Sequence, residues 1–245
     1  MMQPYIFKKQ IISICIVIVL VLISYSQNNL VLVKALVLYL WVLTFITFVP
    51  SMRKNIRYPL AIHYLIYFSP MLLSPFLIGD YAVSWKIEYV MWGFLGGGIL
   101  LLSTYRHLEQ IFSKENLFAN VPLNMVGFIM IVCHFIIALI SEELFYRYTL
   151  INVMKDKMGN MSVIISAVIF LHSHYANRWA NKIFSLKSYI YHFVIGIMFG
   201  CLFYKTNSLL SVIVAHTVFN SPQIFLAIKR LYIKQDNGEQ LFNDY

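Results

Sequence analysis

Residues 141–147 read Ser-Glu-Glu-Leu-Phe-Tyr-Arg and close a stretch, 116–141, that contains no Asp, Glu, Lys or Arg. Glu142, Glu143 and Arg147 therefore stand in apolar surroundings, where three unpaired charges at mid-bilayer would cost about 8 to 10 kcal/mol on insertion scales. On a helix Glu143 and Arg147 are four residues apart and share a face, so they can pair, whereas Glu142 is rotated by about 100° and lacks that partner. Two later apolar stretches carry polar groups that a bare anchor has no use for: Phe170-Leu171-His172-Ser173-His174 and His216-Thr217-Val218-Phe219-Asn220. His216 and Asn220 share one helix face, which in a bilayer should look inward. Glu142, His174, His216 and Asn220 together contain what amide hydrolysis requires. A desolvated Glu can act as general base toward water, with a His holding the water's other hydrogen bond. His216 and Asn220 can donate to a developing oxyanion, each such donor being worth about 3 to 4 kcal/mol of barrier.

The elements that must position these groups are membrane helices. The chain has 245 residues, of which 60% are hydrophobic and 12% charged, and its mean hydropathy is +0.72, so it is not an ordinary soluble protein. The expected fold is all-α, a polytopic bundle of about eight transmembrane helices. Charge-free apolar runs at 11–33, 35–52, 58–79, 89–105, 116–141, 159–177, 188–204 and 206–228 are each near the roughly 20 residues that cross a bilayer. Gln27-Asn28-Asn29 marks the turn between the first two spans. The net charge of +9 is read as topology and lipid contact rather than nucleic-acid binding. With eight spans Lys8, Lys9, Arg53, Lys54, Arg57, Arg106, Lys114, Arg178, Lys182, Lys187, Lys229, Arg230 and Lys234 fall on one side; only Lys86, Lys155, Lys157 and Lys205 fall opposite. By the positive-inside rule both termini are cytoplasmic and the protein is a multi-pass protein of the cell membrane. The Lys8-Lys9 start is read as a retained first span, since no small-x-small cleavage site follows.

Other features read as packing. Gly93 with Gly97, and Gly196 with Gly200, would let helix backbones approach closely. Cys15, Cys133 and Cys201 form no motif and are expected to pack in the bundle. His63, His134 and His192 are expected as helix-packing hydrogen-bonders, and His172, about 200° around the helix from His174, should face elsewhere. Residues 107–119 mix apolar and charged types and are expected along the membrane surface. Register poses a problem: if the fifth span starts at 122, Glu142 lies about 30 Å along it, while His174 lies near the inner end of the sixth. They meet only if residues before about Gly127 are interfacial or the helices tilt.

The Glu-Glu-x-x-x-Arg run at 142–147, Phe-x-x-x-His at 170–174 and His-x-x-x-Asn at 216–220, in that order, resemble the motifs of the CPBP family of intramembrane proteases. That family includes type II CAAX prenyl proteases and bacteriocin-processing or immunity proteins, also called Abi proteins. The resemblance spans about 122–229, giving an expected organisation of N-terminal helices and an interfacial segment (1–121), a catalytic core (122–230) and a short cytoplasmic tail (231–245). It implies an intramembrane endopeptidase acting on a peptide or membrane-associated protein in the lipid bilayer. Glu142 would activate water with His174 assisting, Glu143 and Arg147 would be a supporting pair, His216 and Asn220 would hold the oxyanion, and Phe170 would pack beside His174. If the site holds a divalent metal such as Zn²⁺, Glu142, His174 and His216 are the candidate ligands, with water at an open position; Glu142 would then have to be ligand and base at once. Three further readings stand beside this one. They are a bacteriocin self-immunity protein using the same site, a non-enzymatic scaffold held together by the ion pair, and a transporter with an intramembrane carboxylate in a proton relay.

Overall fold

The computed structural model describes residues 4–55, 59–79, 81–105, 123–177 and 185–243, and every regular element among them is a helix. They are α1 (Pro4–Ser26), α2 (Leu30–Asn55), α3 (Leu60–Leu73) with a 3₁₀ extension (Ser74–Leu77), α4 (Glu88–Ser103), α5 (Met125–Glu142), a π-helical segment (Glu143–Ile151), α6 (Asn152–Met158), α7 (Met161–Ala176), α8 (Leu186–Thr206) and α9 (Leu209–Asn243). The all-α expectation holds, and among the described residues each apolar run contributes to at least one helix. Among the described residues six helices are long and apolar enough to cross a membrane, while α4 and α7 are shorter. At 16 residues these two reach only about 24 Å, short of a hydrocarbon core of about 30 Å. The expected first turn is present at residues 27–29, where Asn28 adopts φ +55° and Asn29 Oδ1 accepts the Leu32 N–H. The expected interfacial segment, 107–119, lies outside the described residues. Residues 231–243 of the expected tail continue helix α9.

The register problem resolves in an unexpected way. α5 starts at Met125, capped by Asn124, whose side chain accepts the Gly127 N–H. It does not stop near Ser141 but runs on through the π segment and α6 as one apolar helix of 34 residues. The chain reverses at Gly159, whose φ of +53° favours glycine, and returns as α7. Counting 1.5 Å per residue from that turn, His174 lies about 20 Å back along α7 and Glu142 at most about 24 Å along its own helix. The two side chains share a level because Glu142 sits near the middle of a long helix.

Glycine sets the helix contacts as the four-residue spacings suggested. A Cβ at Gly93 or Gly97 of α4 would collide with the Ser211 or Ala215 carbonyl oxygen of α9. A Cβ at Gly196 of α8 would lie 3.0 Å from the Ala167 Cβ, and one at Gly200 2.8 Å from Val163 Cγ1, both on α7. α4 is thereby seated on the helix carrying His216, and α8 on the one carrying His174. The N-terminal helices buttress α7 from behind: Gln10 Nε2 donates to the Ala176 carbonyl at 2.9 Å, and the Tyr39 hydroxyl bonds His172 Nδ1 at 2.7 Å. His172 thus faces α2 and not the centre of the bundle. The cysteines do not pack inside it: Cys15, Cys133 and Cys201 are free and exposed, on faces crowded with exposed Ile, Leu and Val.

Candidate active site

The π segment begins where the glutamates stand. Its i to i+5 turns leave carbonyls that side chains take up: Thr149 Oγ1 donates to the Leu144 carbonyl, and Ser166 of α7 donates to that of Tyr146. Such bulges are costly in an α-helix and concentrate at functional sites. Here it buries Glu143, Phe145, Tyr146, Arg147 and Thr149 on one stretch of chain.

Glu143 and Arg147 form the expected pair, with Arg147 Nε 3.2 Å from Glu143 Oε2 and both side chains at most 1% exposed. The other carboxylate oxygen, Oε1, lies 2.6 Å from His216 Nδ1 on α9. No local spacing points to this third member, 73 positions away. The rest of the guanidinium is enclosed by ring faces: its carbon lies 4.6 Å from the centroid of Phe170, 5.4 Å from Phe199 and 5.9 Å from Tyr146. Buried charge is tolerated only when paired in this manner, and aromatic faces supply part of the compensation.

Glu142 takes the opposite course. It lines a cavity of about 460 Å³ together with His174, His216 and Asn220, so four of the six expected site residues meet around one space. Glu143 and Arg147 are not among its lining residues; they sit behind the wall. Ser221 accompanies Asn220 on α9 and donates to the Val218 carbonyl, which Pro222 leaves without its helical N–H partner. Phe170 packs where expected, its ring centroid 4.4 Å from that of His174.

The imidazoles are held by their Nδ1 atoms. His174 Nδ1 lies 2.9 Å from the Phe170 carbonyl, and a carbonyl only accepts, so Nδ1 carries the hydrogen and Nε2 turns away from α7. His216 likewise gives its Nδ1 hydrogen to Glu143, leaving Nε2 as the atom that can meet a substrate. To donate there as well, the ring must hold both protons, beside a carboxylate that it shares with Arg147. The Asn220 amide donates in any protonation state.

The histidines expected in packing provide the main correction. His63, His134 and His192 all line the same cavity. His134 and His63 sit in its outer part with Tyr64 and Tyr67, the His134 ring 4.2 Å from Tyr64 and the His63 ring 5.9 Å from it. His192 lies deeper, beside His174. For a metal the fit is poor. Among the described residues no group of three His, Cys, Asp or Glu side chains is placed to hold an ion, so Glu142, His174 and His216 do not form a coordination sphere.

Residues 124–222 match the family model described as Type II CAAX prenyl endopeptidase Rce1-like. No curated protein matches the chain, and no solved structure does.

Proposed function

We propose that this chain, residues 124–222 of which match the family model described as Type II CAAX prenyl endopeptidase Rce1-like, is an intramembrane endopeptidase that hydrolyses a peptide bond with a water activated by Glu142. The observation that carries this reading is the single cavity on which Glu142, His174, His216 and Asn220 converge from α5, α7 and α9. A water held between the Glu142 carboxylate and His174 Nε2 gives its proton to Glu142, and its oxygen attacks the scissile carbonyl carbon. The negative charge that develops on the carbonyl oxygen is met by Asn220 Nδ2 and by His216 Nε2 in its doubly protonated form. Glu143 holds His216 in place, and Arg147 anchors Glu143.

The cavity extends to Pro50, His63, Asn177 and Gln223, near the helix ends that lead into the basic segments 53–57 and 178–187. By the positive-inside rule this mouth faces the cytoplasm, which supports a substrate that arrives from that side or from the adjoining leaflet.

The test uses purified protein in liposomes and a quenched peptide ending in a farnesylated Cys-a-a-X sequence. Wild type cleaves it, and Asn220→Ala loses about 10²-fold in kcat. Cleavage that survives unchanged in Glu142→Gln would overturn the assignment of the base.

A further inference from the structure

We propose that His192 is a further catalytic residue of this site, the one that returns a proton to the departing amine; the proposal rests on the hydrolase reading above. His192 lies on α8, outside the three helices that carry the expected residues, yet it lines the same cavity. Its ring centroid is 4.8 Å from that of His174, the planes tilted by 43°, and it stacks at 6.4 Å over Phe170. The approach is built into the helix contact. Gly196, four residues on, lets α8 close on Ala167 and Phe170, which brings the preceding turn, with His192, against His174. The ring is also oriented: Nδ1 lies 2.7 Å from the Ser188 carbonyl and donates to it, so the Nε2 edge turns away from α8.

The tetrahedral intermediate shows why a group is wanted there. Its oxyanion is drawn toward α9, where His216 and Asn220 stand, and its new hydroxyl lies toward Glu142 and His174 on α5 and α7. The two remaining substituents are the acyl carbon and the amine nitrogen, and the proposal sets the nitrogen toward α8, the wall of the cavity that carries His192. As an imidazolium, His192 gives its Nε2 proton to that nitrogen while the C–N bond breaks and its electron pair passes to nitrogen. The carbonyl re-forms and the imidazole is left neutral. Glu142 meanwhile holds the proton taken from water, and passage of that proton to His192 through cavity water restores both groups. Water and an amide are consumed, an acid and an amine are released, and no other reactant is needed.

The experiment compares two forms of the farnesylated Cys-a-a-X probe, one with the scissile amide and one with an ester in its place, on wild type, His192→Phe, His192→Ala and Glu142→Gln. An alkoxide leaves with far less need of a proton than an amide nitrogen does. His192→Phe, which keeps a ring against Phe170 and His174, is expected to lose about 10²-fold in kcat on the amide with KM little changed, and to lose little on the ester. His192→Ala should behave in the same way and regain amide cleavage when imidazole is added. Equal losses on amide and ester, or a loss confined to KM, would reduce His192 to packing and overturn the proposal. Wild-type kcat in His192→Phe alongside an inert Glu142→Gln would overturn it while sparing the hydrolase reading. A wild-type protein that cleaves neither probe would overturn both.

Discussion

Two neighbouring residues, Glu142 and Glu143, divide the molecule into regions governed by opposite physics. Around Glu143 the carboxylate is fully buried, one oxygen toward Arg147 and the other toward His216, and three aromatic rings close over the guanidinium. Around Glu142 the chain leaves a cavity, and no described residue is hydrogen-bonded to the carboxylate. The first region sets its carboxylate between Arg147 and His216 and so ties the π segment to α9. The second holds its groups ready for something that enters. A scaffold would need only the first, and the cavity is what favours an enzyme over that reading.

The comparison can be broken most sharply at Glu142. Gln at this position should lower cleavage of the farnesylated probe by about 10³-fold while leaving the thermal unfolding midpoint in detergent at its wild-type value. Next in size is Arg147→Ala, which strands a buried carboxylate and should destabilise the fold by about 3 to 5 kcal/mol, read as loss of folded protein by size-exclusion chromatography and thermal melting. Gly97→Leu drives a side chain into the α9 backbone at Ala215 and should cost about 1 to 3 kcal/mol; since Ala215 precedes His216, the probe's kcat should fall too. The smallest effect is expected at Tyr39→Phe, which removes one hydrogen bond to His172 away from the cavity, costing about 0.5 to 1.5 kcal/mol and sparing kcat in the protein that remains folded.

Much of this division is legible in the sequence, for reasons of periodicity. Glu143 and Arg147 pair because i and i+4 meet on any helical surface, and His216 and Asn220 share a face on the same ground. The glycine pairs named helix contacts that exist. What local spacing could not show are contacts made by folding at a distance. The bond from His216 to Glu143 joins helices far apart in the chain, and it changes His216 from an isolated donor into a member of the buried cluster. The π segment was hidden too, since the serine and threonine that take up its carbonyls look like ordinary small residues until α7 is in place. His63, His134 and His192 belong to no motif, so the sequence alone suggests only packing for them. For His192 a signal was available: it stands four residues before Gly196, on the stripe that the glycines mark as facing another helix. The long helix through Glu142 is not legible in the sequence because the charged motif at 142–147 interrupts the apolar run that continues to Lys155, Asp156 and Lys157.

The most direct test of the separation is a matched pair of substitutions, Glu142→Gln and Glu143→Gln, each assayed in liposomes for kcat on the farnesylated peptide and in detergent for its unfolding midpoint. Glu142→Gln is expected to melt as wild type and to be inert, and Glu143→Gln to lose thermal stability because Arg147 and His216 lose their shared charge partner. A Glu142→Gln protein that cleaves at the wild-type rate, or a Glu143→Gln protein as stable as wild type, would contradict it.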